Sequence, residues 1–192
     1  MTAQRRELER VNAFSDGVFA IAITLLVLNI DVPDVATGEL GHALKDLGDD
    51  LLAYAIGFAV MGLFWYGHHR LFSRLARSDG RLVLTNMLLL GLVGLMPFST
   101  GVLGNYDGPL AVSIFAANVG LATIVDGFLH LIARNDELEE PDAVRMPHEL
   151  SLTWARAVVF LVSIPIAYLA SPEIAQYVWL LLIAIVFLRR WG

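Results

Sequence analysis

Long apolar segments recur along the chain at a length that suits a lipid bilayer. A helix needs about 20 mostly apolar residues to cross a membrane. Six segments satisfy this requirement, at 13–31, 49–71, 82–104, 109–133, 151–170 and 174–190. The breaks between them carry turn-forming residues, and Pro97 and Pro165 fall inside spans, where we expect kinks. The pattern predicts an all-α membrane protein whose residues 1–192 form a single six-helix domain.

Composition strengthens the membrane assignment. Hydrophobic residues make up 57% of the chain and charged residues only 17%, whereas soluble domains carry roughly a quarter charged residues. The chain contains no cysteine, which excludes disulfides, thiolate catalysis and cysteine metal sites. We therefore expect a multi-pass integral membrane protein with no cofactor and no bound metal.

Basic residues are distributed unevenly between the two sides of the predicted bundle. Twelve of the 13 Arg and Lys residues lie on the side of the N-terminus, and only Lys45 lies on the other. By the positive-inside rule, both termini are predicted to be cytoplasmic. The first outer loop, 31–50, holds six acidic residues, which either concentrate cations at an outer mouth or are simply solvated. The inner loop 134–149 has mixed charge and is predicted to be a plain linker.

Polar side chains inside the spans form a layer near the predicted cytoplasmic ends. A charged group at the centre of a membrane helix costs about 2.5–3.5 kcal/mol on insertion scales, so such groups usually face a partner or water. The members of this layer are Asp16, His68, His69, Asn86, Asp126 and His130.

Three interpretations of this polar layer are open: a structural lock between helices, a proton relay, and a metal or hydrolase site. A relay needs titratable groups across the whole membrane, and the outer half of the spans has almost none. A metal site is disfavoured because His68 and His69 point about 100° apart on a helix. Neither the H-E-x-x-H nor the G-x-S-x-G motif is present. The structural lock is therefore the favoured interpretation.

The first span carries a continuous apolar stripe. At about 100° per residue, Ile21, Leu25 and Leu28 share one face, with Thr24 at its edge. Asp16 lies about 140° from Ile21 and faces elsewhere. Periodicity alone favours ordinary packing or lipid contact for such a stripe.

The start of this helix resembles a known signature. The stretch RVNAFSDG at 10–17 is similar to the R-x-x-x-F-S-D-G signature of the transmembrane protein 175 family, potassium channels of lysosomes and endosomes with shorter prokaryotic relatives. FWYGHHRLF at 64–72 and NMLLLGLVGLMPFST at 86–100 resemble the second and third helices of that family, whereas the second half of the chain matches only in hydropathy. The signature positions are Arg10, Phe14, Ser15, Asp16 and Gly17.

The resemblance implies a homotetramer in which four first helices line a central pore. It places the pore constriction at Ile21, Leu25 and Leu28, with Ile21 the tightest, and a ring of hydroxyl groups at Thr24. The T-V-G-Y-G carbonyl filter is absent, so an apolar neck that closes by dewetting would control permeation.

The same resemblance implies the permeant ions and the partners. Potassium passes, with a weaker preference over sodium than a carbonyl filter gives, and protons leak. The implied partners are further copies of the chain, lipid and monovalent cations, with no nucleic acid and no enzymatic activity. The implied location is the plasma membrane of a prokaryote.

The resemblance also makes the F-S-D motif a packing element. We expect Asp16 to be held by His68 or His69 and by Arg70 or Asn86, which would fix the tilt of the first helix and the pore radius at Ile21. The alternative function is a proton-coupled membrane transporter that uses the aspartate and histidine layer.

Overall fold

Helices account for most of the chain. The structure is a computed structural model that describes residues 3–136, 138–141 and 149–191; of residues 3 and 183–191 it describes the backbone only. Within these ranges the only β pairing is an isolated bridge, so the all-α prediction is confirmed. The helices are α1 (Ala3–Leu25), α2 (Leu40–Asp46), α3 (Gly48–Phe72), α4 (Gly80–Gly94), α5 (Met96–Asn105), α6 (Pro109–Asn135), α7 (Glu149–Leu169) and α8 (Pro172–Trp191), and a 3₁₀ turn over Leu26–Asn29 extends α1.

Five helical segments are long and apolar enough to cross a membrane. They span Gln4–Asn29, Gly48–Phe72, Gly80–Asn105, Pro109–Asn135 and Glu149–Leu169. The first five predicted spans fall within or close to these segments. The sixth, 174–190, coincides with α8, but most of its side chains lie outside the described residues. The predicted break between the fifth and sixth spans is confirmed, because α7 ends at Leu169, α8 begins at Pro172 and the Ser171 hydroxyl accepts the Ile174 N–H at 3.2 Å.

The third predicted span consists of two helices. α4 ends at Gly94 and α5 begins at Met96, so the break falls at Leu95, just before Pro97. Proline has no N–H to donate, and its ring clashes with the carbonyl one turn earlier. The predicted kink at Pro97 is therefore a break between two helices, whereas α7 continues through Pro165 as one helix.

Two helical stretches extend beyond the predicted spans. α1 begins at Ala3, ten residues before the predicted start, and its first turns are charged. These charged residues are good helix formers, and Arg5 Nε lies 3.9 Å from Glu9 Oε1 across one turn. The short helix α2 lies in the acidic outer loop and buries none of its residues. Hydropathy alone does not predict either stretch, because both are polar.

The helices pack around α6. α6 contacts α7 most extensively and also α4 and α5, while α1 packs against α3 and α4. Rings of Phe115, Phe160 and Trp179 join α6, α7 and α8, with centroids 5.3–6.5 Å apart. In the most apolar window of each helix, 61% of the α6 residues are buried, against 22% of those in α1. α1 is therefore peripheral and leaves one face uncovered.

Close packing of α3 on α5 requires a glycine at position 57. A Cβ at Gly57 would lie 2.7 Å from Thr100 Oγ1 and 2.9 Å from Thr100 Cγ2. We expect Gly57→Ala to lower the free energy of unfolding by about 1–3 kcal/mol, measured by thermal unfolding in detergent. Gly62→Ala is the matched control on α3, because no described atom lies within 4 Å of its added Cβ. If both variants lose the same stability, the contact with Thr100 does not contribute to it. If Thr100→Ala restores the stability of Gly57→Ala, the clash lies between these two residues.

Candidate functional site

One face of α1 is not covered by the rest of the described chain. We call it the α1 stripe. Ile21, Leu25 and Leu28 are 63%, 42% and 72% exposed, although each is strongly apolar. The opposite face of the same helix is buried in the core of the subunit. The α1 stripe consists of Phe14, Gly17, Ile21, Thr24, Leu25 and Leu28, all of them exposed.

Thr24 adds a polar atom to this apolar face. Its hydroxyl oxygen lies 3.0 Å from the carbonyl oxygen of Ala20 and 2.8 Å from that of Ile21, so its proton is donated within the helix. The hydroxyl oxygen keeps lone pairs for another partner. Chemically, the α1 stripe combines an apolar surface with one oxygen that can accept a hydrogen bond or contact a cation.

A buried chain of hydrogen bonds fixes α1 to α3 and α4. His68 Nε2 lies 2.9 Å from Asn86 Oδ1, and Asn86 Nδ2 donates to Ser15 Oγ at 2.9 Å. Ser15 in turn donates to the Val11 carbonyl. Because Asn86 Oδ1 only accepts, His68 carries its proton on Nε2. All three side chains are fully buried, so this group, the Ser15–Asn86–His68 anchor, holds the rotation of α1.

The C-terminal end of α1 is held separately. Asn29, at the end of the 3₁₀ turn, donates to the carbonyl oxygen of Pro97 on α5 at 2.7 Å. The contact is close, since a Cβ added at Gly101 would lie 2.8 Å from Asn29 Oδ1. α1 is therefore tied to α4 near its middle and to α5 at its C-terminal end.

The predicted partners of Asp16 are wrong. Asp16 Oδ1 accepts the indole N–H of Trp65 at 3.0 Å, and its other oxygen lies 3.5 Å from Asn12 Nδ2. Sequence depth placed Asp16 level with His68 and His69, but Trp65 is one turn earlier on α3 and its longer side chain reaches α1. Asp16 still ties α1 to α3, as the structural interpretation of the polar layer requires.

His69 and Arg70 do not join the anchor either. The His69 ring stacks on Trp65, with centroids 5.5 Å apart. The Arg70 guanidinium lies 5.8 Å from the centre of the Tyr66 ring, a cation–π geometry. Arg10 is exposed on the charged part of α1. Of the signature and network residues that the sequence singles out, only Ser15, His68 and Asn86 share one hydrogen-bonded group.

Asp126 and His130, which the sequence placed in the polar layer, belong to a second group of buried charges, and sequence reasoning missed the other members. The residues of this group come from α6, from the first turns of α7 and from the segments that follow α3 and α6. Arg74 lies just after α3, and its Nη1 is 2.9 Å from Glu149 Oε2 at the start of α7. Part of the predicted plain linker is therefore structural: Leu138 and Glu140 form backbone hydrogen bonds of 2.8 Å with Ala76 and Arg74. The members of this charge cluster are Arg74, Asp126, His130, Glu139, Glu149 and Arg156.

Comparisons with known proteins match the region that contains the α1 stripe and the anchor. The sequence model of the family described as "Endosomal/lysosomal potassium channel TMEM175" matches residues 10–97. A potassium channel of Streptomyces collinus is 48% identical over 98 residues, which are 50% of this chain and 48% of that protein. This chain thus spans about half the length of that relative.

Two further comparisons extend over most of the chain. A potassium channel of Chamaesiphon minutus is 39% identical over 156 residues, covering 73% of this chain and 77% of that protein. The crystal structure of a lysosomal potassium-selective channel TMEM175 homolog from Chamaesiphon minutus matches with a TM-score of 0.81 and 33% identity. That match covers 97% of this chain and all of the other. The chain is an integral membrane protein and belongs to the TMEM175 family.

Proposed function

We propose that this chain is the subunit of a potassium-permeable cation channel of a prokaryotic plasma membrane. Four copies surround a pore that α1 lines, and the N- and C-termini face the cytoplasm. Ile21, Leu25 and Leu28 form a hydrophobic constriction in place of a carbonyl filter. Potassium is the main permeant ion, and sodium and protons pass less well or leak.

The observation that carries this proposal is the exposure of the α1 stripe. Three large apolar side chains and Thr24 share a face that the described part of the subunit leaves uncovered. Lipid alone could cover such a face. A pore is favoured because the stripe lies inside the region that matches the family and relatives named as potassium channels.

The proposed mechanism uses the two chemistries of the stripe. A narrow ring of four Ile21 side chains repels water, so a small change in radius switches the neck between wet and dry. Four Thr24 hydroxyl oxygens one turn away replace part of the water around a cation. Because few fixed oxygens surround the ion, selectivity is weaker than in a carbonyl filter.

Reconstitution in a planar bilayer tests the proposal against the transporter alternative. Unitary currents whose reversal potential follows the potassium gradient support a channel. Saturable flux at low turnover without unitary steps would instead support the proton-coupled transporter. The transporter would use titratable pairs of the polar layer: Asp16 bonds to Trp65 rather than to a histidine, whereas Asp126 lies 3.8 Å from His130.

Gly17 gives a test of the assembly. No described atom lies within 4 Å of the position that its Cβ would occupy, so a larger side chain fits in the isolated subunit. If four α1 helices pack around an axis, Gly17→Leu should shift the purified protein from tetramer to smaller species, as measured by light scattering. Its melting temperature as a subunit should change little. Gly91→Leu on α4 is the matched control, since Gly91 is also exposed with free space around it; equal loss of tetramer in both variants would contradict the α1 axis.

A further inference from the structure

The charge cluster is almost completely enclosed by protein. Its six side chains are 4–22% exposed, and Asp126, Glu139, His130 and Arg74 are each below 10%. Arg74 forms ion pairs with two carboxylates at once, with Nε 3.3 Å from Glu139 Oε1 and Nη1 2.9 Å from Glu149 Oε2. On the other side, Arg156 Nη2 lies 3.7 Å from Asp126 Oδ2. Buried charges of this kind are stable only when they are paired.

Among the described residues of the cluster, the formal charges balance when His130 is protonated. Three carboxylates, Asp126, Glu139 and Glu149, face two guanidinium groups, Arg74 and Arg156. With a neutral imidazole the described members sum to one negative charge, and with an imidazolium they sum to zero. Asp126 Oδ1 is buried without a hydrogen-bond partner among the described residues, and it lies 3.8 Å from His130 Nδ1.

The orientation of His130 determines where a second proton would bind. Its Nδ1 lies 2.9 Å from the backbone oxygen of Asp126, one turn earlier on α6, so Nδ1–H donates to that carbonyl. Its Nε2 then faces Glu149 Oε1 on α7 at 3.7 Å. In the neutral ring Nε2 turns a lone pair toward a carboxylate. A proton on Nε2 replaces this repulsion with a charge-assisted N–H···O contact.

Ionisable groups from every neighbouring element surround the ring. α3 contributes Arg74 and also His68, which interacts electrostatically with Asp126 and His130. α7 contributes Glu149 and Arg156, the loop after α6 contributes Glu139, and α6 itself contributes Asp126. At the start of α4, Arg81 pairs with Asp136 at 3.9 Å. α5 contains no ionisable residue, and the side chains in the last turns of α8 lie outside the described residues.

We propose that His130 is a proton-binding site, and that a proton taken up at Nε2 holds α7 against α6 through Glu149. Arg74 forms ion pairs with both Glu149 and Glu139. The same proton therefore strengthens the contact between the end of α3 and the second half of the chain. The site becomes occupied as the side of the membrane that it faces is acidified, in the range between pH 5 and 8 where imidazoles titrate. This proposal does not rest on the chain being a channel.

Nitrogen NMR of histidine-labelled protein in lipid nanodiscs tests the site directly, because it distinguishes the two neutral tautomers from the imidazolium. The chain has five histidines, and substituting each with glutamine assigns the signals. We expect His130 to pass from the Nδ1–H tautomer to the imidazolium between pH 5 and 8. Glu149→Gln removes the facing charge and should weaken proton binding at His130 about tenfold. The signal of the exposed His42 on α2 should be the same in both proteins.

The outcomes that would overturn the proposal are equally direct. They are a His130 ring that stays neutral down to pH 5, a neutral ring protonated at Nε2, or a titration that Glu149→Gln leaves unchanged. If His130→Gln does not fold, the other four substitutions assign its signal by elimination. As a second measurement, acidification from the upper to the lower end of this range should raise the melting temperature of the wild type more than that of His130→Gln. Equal responses would count against the tie to α7.

Discussion

Replacing Ile21 with asparagine is expected to raise the potassium conductance of the reconstituted protein about tenfold, which corresponds to a barrier lowered by about 1.4 kcal/mol. Four copies of the substitution place four amides at the proposed neck, where they hydrate an opening that four sec-butyl side chains keep dry. Ion preference should fall at the same time, because a wetter neck lets sodium pass with more of its own water. The measurements are unitary conductance and the reversal potential with potassium on one side and sodium on the other.

Val158→Asn is the control for this prediction. Val158 is 59% exposed on α7, close to the 63% of Ile21, so both substitutions place an amide on an exposed helix face. Its conductance and selectivity should match the wild type. Ile21→Asn and equivalent changes at Leu25 and Leu28 could all leave conductance and selectivity unchanged. In that case the α1 stripe faces lipid and another surface conducts. A current altered only by changes at Asp16 would place the ion path on the opposite side of α1.

Replacing Asn86 with leucine is expected to lower the free energy of unfolding by about 2–4 kcal/mol. Asn86 is the central member of the Ser15–Asn86–His68 anchor and bonds to one side chain on α1 and one on α3. Leucine has similar size but leaves the buried His68 N–H without an acceptor and removes the bond to Ser15. Thermal unfolding in detergent measures the loss.

Two variants sharpen this second prediction. Asn105→Ala is the control, because the exposed Asn105 side chain donates to the Gly101 carbonyl of its own helix; its effect should stay within about 0.5 kcal/mol. The double variant Asn86→Leu with His68→Phe should recover much of the lost stability, since both partners are then apolar and the ring at position 68 already packs against Phe19 and Phe72. If Asn86→Leu and Asn105→Ala lower the free energy of unfolding equally, the anchor does not stabilise the subunit.

The spans were predictable because membrane length and hydropathy are properties of a segment by itself. α3, α6 and α7 begin and end within two residues of the predicted limits. α2 and the start of α1 were not found, because their helices are polar, and a hydropathy pattern does not report helices in water. The division of the third span depends on the backbone chemistry of Pro97, which predicted a bend but not its exact form.

Partners across helices were harder to predict than depth. The angular argument correctly separated Asp16 from the face of Ile21, since both residues belong to one helix. The partner of Asp16 depends on the rotation of α3, which single-helix periodicity does not contain, and Trp65 was therefore missed. The partners that surround Asp126 and His130 were missed for a different reason: Arg74, Glu139 and Glu149 lie at or beyond the ends of spans, where hydropathy carries no information on contacts.

The break at Leu95 has a mechanical consequence for α1. The middle of α1 is attached to α4 through Asn86, and the 3₁₀ turn at its C-terminal end is attached to α5 through the carbonyl of Pro97. The two attachment points therefore belong to two rigid rods that meet at one joint. Any change in the angle at that joint alters the separation of the attachment points, and α1 must shorten, lengthen or tilt in response. Its 3₁₀ turn lies next to the attachment to α5. A change of length in this turn breaks the fewest helical hydrogen bonds.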